Sequence, residues 1–253
     1  MSNDVIIITG ASSGLGYSFA KIYADRFNNL LLIGRDEKKL ELIADEISSE
    51  FNVKIYTIAL DLANSDFIDP VHKIITENHL VPTMLINNAA VGLYGAFESQ
   101  EDSKINQMIN LNIAALTNIT KYFVNTMLES SKRCKILNVS STISFRKAPN
   151  WAVYAASKAY VNTFTRSLEI ELKKSNISVS LLCPGKFNSK FDERAENEHS
   201  GSNKISSDSI AAYAAVQLEK GRSLIIPGMF NRIKYMIFKY LPDFITDRII
   251  RSL

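Results

Sequence analysis

Val5-Ile6-Ile7-Ile8 is an unbroken β-branched run, the pattern of a strand buried on both faces. It runs into Thr9-Gly10-Ala11-Ser12-Ser13-Gly14-Leu15-Gly16, after which Tyr17 to Tyr23 has helical potential. The same succession recurs along the chain. Leu30–Ile33 predicts a second strand, and Asp36 caps a helix whose Leu40, Ile43, Ala44 and Ile47 recur at i, i+3, i+4 and i+7. Val53–Leu60 predicts a third strand ending at Asp61, followed by a helix from Asp66 to about His79 that tolerates Pro70 only near its start. Met84–Ile86 predicts a short fourth strand, then Asn87-Asn88-Ala89-Ala90, then a long helix within Ser103–Leu128. Lys135–Val139 predicts a fifth strand running into Ser140-Ser141-Thr142. Tyr154–Leu172 predicts a helix with Val161, Phe164, Leu168 and Leu172 on one face. Ile177–Leu182 and Leu224–Ile226 predict the last two strands, closed by Pro184-Gly185 and Pro227-Gly228.

Strands and helices that alternate with short connections imply an α/β fold with a mostly parallel seven-stranded sheet and helices on both faces. Ligands in such sheets bind outside the C-terminal strand ends. Thr9-Gly10, Gly34-Arg35, Asp61, Asn87, Ser140-Ser141 and Pro184-Gly185 all fall there. The glycine turn is the strongest candidate. A strand, a glycine turn and a helix bring unpaired N–H groups and the positive end of a helix dipole to one point, which attracts a phosphate. Glycines let a pyrophosphate approach the backbone without a Cβ in the way. Residues 186–208 are polar, charged and nearly without aliphatics, and read as a mobile loop over the site. One domain over residues 1–228 and a C-terminal extension over 229–253 account for the chain.

Composition narrows the classes. The 253 residues are 46% apolar and 22% charged, ordinary for a globular protein with a large core. A net charge of +3, from 29 basic and 26 acidic residues, argues against nucleic acid as a partner. Cys134 and Cys183 each sit in an apolar run and read as buried free thiols, which suits a reducing compartment. No metal site is expected. The first strand starts within a few residues of Met1, leaving no room for a signal peptide, and no apolar run reaches the ~18 residues of a membrane span. The expectation is a cytoplasmic protein.

Tyr154 and Lys158 are one helical turn apart and share a face. An ammonium beside the phenol stabilises phenolate and lowers a pKa that starts near ~10, so the tyrosine can act as acid toward a carbonyl oxygen or as base toward an alcohol. Such pairs are common on helices, and the surroundings give this one its weight. Thr9-Gly-x-x-x-Gly-x-Gly16, Asn87-Asn88-Ala89, Asn112, Ser140-Ser141, Tyr154-x-x-x-Lys158 and Pro184-Gly185 resemble, in order and across residues 4–228, the short-chain dehydrogenase/reductase family. The resemblance implies a doubly wound Rossmann fold and an oxidoreductase moving a hydride between a nicotinamide cofactor and a carbonyl or secondary alcohol, usually as a homodimer or homotetramer.

Carried over by position, Ser141 would hold the substrate oxygen, Tyr154 would donate the proton, and Lys158 would tune it and bind the nicotinamide ribose. Asn112 would hold a water in a relay to Lys158. The resemblance assigns cofactor contacts to Gly10, Ser12, Ser13, Gly14, Leu15 and Gly16, to Asp61 and Leu62 at the adenine, to Asn88, Ala89 and Ala90, and to Pro184, Gly185 and Ser189. Asp61 could equally cap a helix, and Asn87 would tie neighbouring strands together. Ala90 stands where the family often has Gly, and Ser189 where Thr often follows.

Cofactor choice turns on the end of the second strand. A carboxylate there accepts from a ribose 2′-OH and marks NAD. This chain has Gly34 and then Arg35, which can pair with a 2′-phosphate and favours NADP; Asp36 next door leaves NAD open. The tail 230–253 sets Phe230, Ile233, Met236, Ile237, Tyr240 and Leu241 among Arg232, Lys234 and Lys239, breaks at Pro242, and resumes with Phe244, Ile245, Ile249 and Ile250 beside Arg248 and Arg251. It reads as two short amphipathic helices, similar to a tail in the bacterial DltE-like branch of the family. Two roles stay open: a flap packed on its own domain or on a partner subunit, or a peripheral membrane contact. Trp151, Phe145, Phe187 and Phe191 near the expected pocket mouth suggest an apolar small-molecule substrate.

Overall fold

The computed structural model describes residues 2–63, 67–188, 191, 195–196, 205–242 and 244–246. In chain order its elements are β1 (Asp4–Thr9), α1 (Gly14–Ala24), β2 (Asn29–Gly34), α2 (Glu37–Glu50), β3 (Lys54–Ala59), α3 (Ile68–Glu77) and β4 (Val81–Asn87). Then come α4 (Asp102–Ile109), α5 (Leu116–Leu128), β5 (Cys134–Val139), α6 (Ala152–Glu171), β6 (Ile177–Leu182), β7 (Phe187–Asn188) and β8 (Ile205–Ser206). The last are α7 (Ser207–Glu219), β9 (Leu224–Ile225) and α8 (Met229–Tyr240). The seven-stranded sheet has the order β3-β2-β1-β4-β5-β6-β9, and every neighbouring pair is parallel. This is the expected doubly wound α/β fold. The chain leaves β1 toward β2 on one side and returns to β4 on the other, so a crevice opens between them at the C-terminal strand ends.

The period of two in a strand decides which helices cover which face. Ile6 and Ile8 pack with Phe19 and Tyr23 of α1, Leu40 and Ile47 of α2, and Ile210 and Ala214 of α7. Val5 and Ile7 pack on the other side with Val71 and Ile75 of α3 and with Ile119 and Phe123 of α5. All four β1 side chains are fully buried. Each is worth about 1.5–3 kcal/mol of transfer free energy before ordering costs. Cys134 and Cys183 are buried free thiols.

Several bounds differ from the sequence expectation. β4 begins at Val81 and includes Pro82, where the register with β1 shifts between Val5 and Ile6; a residue without an N–H is accommodated at that irregularity. The long helix within Ser103–Leu128 is two α-helices joined by a π-helical stretch, Asn110–Ala115. Helix α3 begins at Ile68; Asp66 lies outside the described residues. Helix α7 was not anticipated. Its buried face, Ile210, Ala211, Ala214, Ala215 and Leu218, is mostly alanine and gives a weak apolar signal, although Ser206 caps it by accepting from Ser209 N.

The tail begins as α8, packed on its own chain. The Phe145 and Tyr235 rings meet at 4.6 Å. Asn231 Nδ2 donates to the Pro227 carbonyl at 2.8 Å, Arg232 Nε donates to the Ile226 carbonyl at 3.0 Å, and the Arg232 guanidinium also reaches the Tyr213 hydroxyl. Residues 247–253 lie outside the described residues. Among the described residues no helix is long and apolar enough to cross a membrane.

Candidate active site

The turn after β1 is built by backbone contact. Gly10 has φ +65°, and a Cβ there would sit 2.9 Å from Ala89 Cα. A Cβ on Gly16 would sit 2.3 Å from the Gly10 carbonyl oxygen, so α1 starts directly against the strand end. Among the described residues no side chain caps α1, and its first turn holds no acidic residue. Its leading N–H groups and dipole therefore face the crevice, a setting for an anion such as a pyrophosphate.

Thr9 and Asn88 fasten the other wall. Thr9 Oγ1 accepts from the N–H of Asn88 and of Ala89, each at 3.0 Å. Asn88 Nδ2 donates to the carbonyls of Thr9 and Gly10 at 3.1 and 3.2 Å. Behind them Asn87 Nδ2 donates to Asn138 Oδ1 and Thr120 Oγ1, both at 2.8 Å, and Asn138 Nδ2 donates to Thr165 Oγ1 at 3.0 Å. This buried relay links β4, β5, α5 and α6.

Tyr154 and Lys158 occupy the first turns of α6 and are 8% and 2% exposed. Lys158 Nζ lies 5.9 Å from the Tyr154 ring centre and donates to the Val139 carbonyl at 2.9 Å. Ser140 Oγ donates to the Lys158 carbonyl at 3.0 Å, which ties the turn after β5 to this helix. Burial pushes the Lys158 amine down to about 8, with the nearby Cys183 opposing that shift weakly, and burial pushes the Cys183 thiol up to about 12. Ser141 opens the 3₁₀ turn Thr142–Phe145, accepting from Ile143 N at 3.3 Å. Asn112 lies in the π-helical stretch, 1% exposed. Its Oδ1 accepts from Val91 N at 3.0 Å, and its Nδ2 donates to the Val91 carbonyl at 2.9 Å and to Ser157 Oγ at 3.0 Å. The amide assigned to a water relay thus holds the segment after β4.

One cleft of about 1490 Å³ connects these parts. Gly10, Ser12, Ser13, Gly14 and Leu15 line it, as do Arg35, Asp61 and Leu62, Asn88, Ala89 and Ala90, Ser141, Tyr154 and Lys158, and Pro184 and Gly185. Gly16 and Asn112 stand behind its wall, and Ser189 lies outside the described residues. Asp61 Oδ1 also accepts from Ala63 N at 3.1 Å, a local turn bond rather than a helix cap, since α3 begins only at Ile68. Asp36 caps α2 by accepting from Lys39 N at 3.2 Å and pairs with Lys39 Nζ at 2.7 Å; these bonds hold its carboxyl below the usual range. Arg35 is exposed and has no carboxylate partner among the described residues.

The Trp151 and Phe191 rings flank Tyr154, with centroids 5.4 and 5.2 Å from its own. Phe145 and Phe187 line the cleft as anticipated. Sequence reasoning gave Thr9 no bonding role of its own and missed Val91 and Arg146, and it missed that α8 supplies Met229, Phe230, Tyr235 and Phe238 to the far wall. Only the amphipathic pattern of the tail hinted at the last group. A phenol beside a buried amine, in a cleft that also holds an anion-binding turn, can pass a proton to an oxygen held by Ser141.

A family model described as short chain dehydrogenase matches residues 4–200. Sulfoacetaldehyde reductase 2 of Chromohalobacter salexigens is 32% identical over 192 residues, 75% of each chain. A very-long-chain 3-oxoacyl-CoA reductase of Rattus norvegicus is 32% identical over 186 residues, 70% of this chain and 57% of that protein. A short-chain dehydrogenase from Sphingobium yanoikuyae, solved in complex with NADPH, superposes with a TM-score of 0.83 at 25% identity, covering 95% of this chain and 97% of that one.

The buried amine predicts a pH signature. The unfolded chain keeps the lysine proton up to about 10.5, whereas the folded protein releases it near 8. Between these values the unfolded state binds more protons, so stability rises with pH. Below pH 8 the whole penalty applies, about 3 kcal/mol. In urea unfolding of nucleotide-free protein, wild type should gain roughly 2–3 kcal/mol on Lys158→Met between pH 7 and pH 10. A difference that does not change with pH would contradict the buried amine.

Proposed function

The chain belongs to the short-chain dehydrogenase family and is an oxidoreductase acting on carbonyl or alcohol substrates; from that premise we propose that it moves a hydride between NADP(H) and an apolar ketone or secondary alcohol, with Tyr154 as the acid and base. The observation that carries the reading is that Tyr154, Lys158 and Ser141 line the same cleft as the glycine turn.

The residues present fit a nicotinamide dinucleotide. The close approach at Gly10 and Gly16 clears the backbone for a pyrophosphate, and the uncapped α1 faces it. Bound there, the nicotinamide supplies or takes the hydride. Ser141 donates a hydrogen bond to the substrate oxygen and sets it beside the Tyr154 hydroxyl. Tyr154 gives that oxygen its proton in reduction and takes it back in oxidation. With its pKa near 8, Lys158 is mostly charged at neutral pH, and its field steadies the phenolate left behind. It would also bind the ribose hydroxyls of a nucleotide held there. Asn112 acts by position, clamping Val91 and so the segment that walls the cleft. The aromatic flank of Trp151 and Phe191 excludes water and favours an apolar substrate.

NADP(H) is preferred because Arg35, at the end of β2, has no carboxylate partner among the described residues, while the Asp36 carboxylate is engaged by Lys39. A second reading, of a reductase that works at a membrane surface, draws on α8. Phe230, Ile233, Met236 and Tyr240 are at least half exposed beside Arg232, Lys234 and Lys239, and the helix has no acidic residue.

Tyr154→Phe should lower NADPH-dependent reduction of an accepted ketone by about 10²- to 10⁴-fold while nucleotide affinity is kept; surviving turnover refutes the acid assignment. If no member of a broad ketone and aldehyde panel is reduced, the chain binds nucleotide without turnover. Arg35→Ala should raise the KM for NADPH by about ten- to a hundredfold and that for NADH little; equal losses refute the 2′-phosphate role. Sedimentation with anionic liposomes should deplete the full chain and spare a chain ending at Gly228. Equal behaviour refutes the membrane reading.

A further inference from the structure

We propose that the substrate carries an oxyanion head on its apolar body and that Arg146 receives this head. The proposal rests on the carbonyl site at Ser141 and Tyr154 and names the class of molecule that occupies it. The charges lining the cleft are segregated. Among the described residues its carboxylates are Asp36, Glu37 and Asp61, which follow β2 and β3. Past the switch point of the sheet the charged linings are all cations: Lys158, and with it Arg146 after β5, Lys186 after β6 and Lys234 on α8. Among the described residues, the half of the cleft beyond Tyr154 therefore offers positive charge with no acid lining it.

Arg146 differs from the two lysines. Lys186 and Lys234 are exposed, whereas Arg146 is partly buried, and that burial lowers its affinity for a proton. No carboxylate pairs with it among the described residues. A guanidinium withdrawn from water without a counter-charge is unfavourable. An oxyanion supplied by the ligand meets that need, because the planar fork of arginine binds two oxygens at once.

Its position also specifies the ligand. Ser141 begins the 3₁₀ turn that Arg146 ends, so their backbones lie about 10 Å apart at ~2.0 Å per residue. The Phe145 ring, packed at 4.6 Å on Tyr235 of α8, stands next to Arg146. A ligand reaching from Ser141 to Arg146 thus passes an apolar wall before it meets the cation. The reacting carbonyl and the head are separated by an aliphatic or aromatic spacer, unlike in a 2-oxo acid.

Trp151 lines the cleft and is the single tryptophan of the chain, so its fluorescence reports occupancy without turnover. NADP⁺-saturated enzyme, and separately the nucleotide-free protein, would be titrated with octanoate, octane sulfonate, octyl phosphate and the neutral 1-octanol. At least one anion should bind about ten- to a hundredfold more tightly than the alcohol. The anion with the largest ratio identifies the head. In Arg146→Gln that ratio should fall to near one, and Arg146→Lys should restore part of it. In kinetics, a long-chain methyl ketone ending in a carboxylate should show a higher kcat/KM than its methyl ester. Equal binding of anions and alcohol, a ratio that survives in Arg146→Gln, or no response to any of these ligands would overturn the proposal. Because the titration needs no reduction, it separates this result from a failure of the Tyr154 reading, which shows as a panel without NADPH oxidation.

Discussion

Two backbones approach more closely here than any side chain permits, and the rest of the structure is arranged around that contact. The first turn of α1 lies on the Gly10 carbonyl, and the segment after β4 lies on the Gly10 Cα. Neither approach survives a Cβ. Their consequence is a crevice at the centre of the sheet whose floor is main chain. Main chain presents N–H groups at fixed positions and without rotamer entropy, which suits it to hold phosphates. Thr9 and Asn88 then replace, with side-chain hydrogen bonds, the pairing that the two strands give up as they separate.

A second constraint acts through α6. Its amine is buried against the end of β5, where Lys158 donates to the Val139 carbonyl while Ser140 donates back to the Lys158 carbonyl. Helix and strand end are thereby fixed relative to each other through Lys158, the residue proposed above to tune the phenol. The amide relay from Asn87 through Asn138 to Thr165 runs beneath them. Burying so many polar groups is tolerable because nearly all of them donate or accept within the network, Asn87 Oδ1 excepted, and their directionality sets the position of the phenol more narrowly than apolar packing would.

Local patterns in the chain carried most of this. The β-branched run of β1, the glycine spacing and the i, i+4 placement of Tyr154 and Lys158 are short-range signals, and they specify the sheet, the turn and the shared face. What was not legible depends on contacts distant in sequence. Nothing near Arg146 says that it borders the cleft, because the opposing wall is supplied by Tyr235 and Phe238, about ninety residues later. That the Asn112 amide clamps Val91 was not legible either, because Val91 lies on a different element and is met only in the fold. Helix α7 was overlooked because alanine buries little apolar area per residue, so its periodic face scarcely rises above a polar background. Pro82 concealed the start of β4, since the irregularity beside it, where Thr83 is passed over between the pairs Val5–Pro82 and Ile6–Met84, shows only once β4 is paired with β1.

The short parallel pair of β7 and β8 joins Phe187 to Ile205 and Asn188 to Ser206. The two ends of the intervening stretch are thus tied to each other by backbone bonds that do not depend on what lies between. For ends tied together in this way, a doubling of the length between them adds only about 0.6 kcal/mol of closure entropy. Side chains within the stretch still reach the cleft, where the Phe191 ring packs 5.2 Å from that of Tyr154, and the Ala195 carbonyl accepts from Tyr94 N. A change of length here is therefore cheap for the fold, whereas a change of side chain at Phe191 is felt at once beside the phenol.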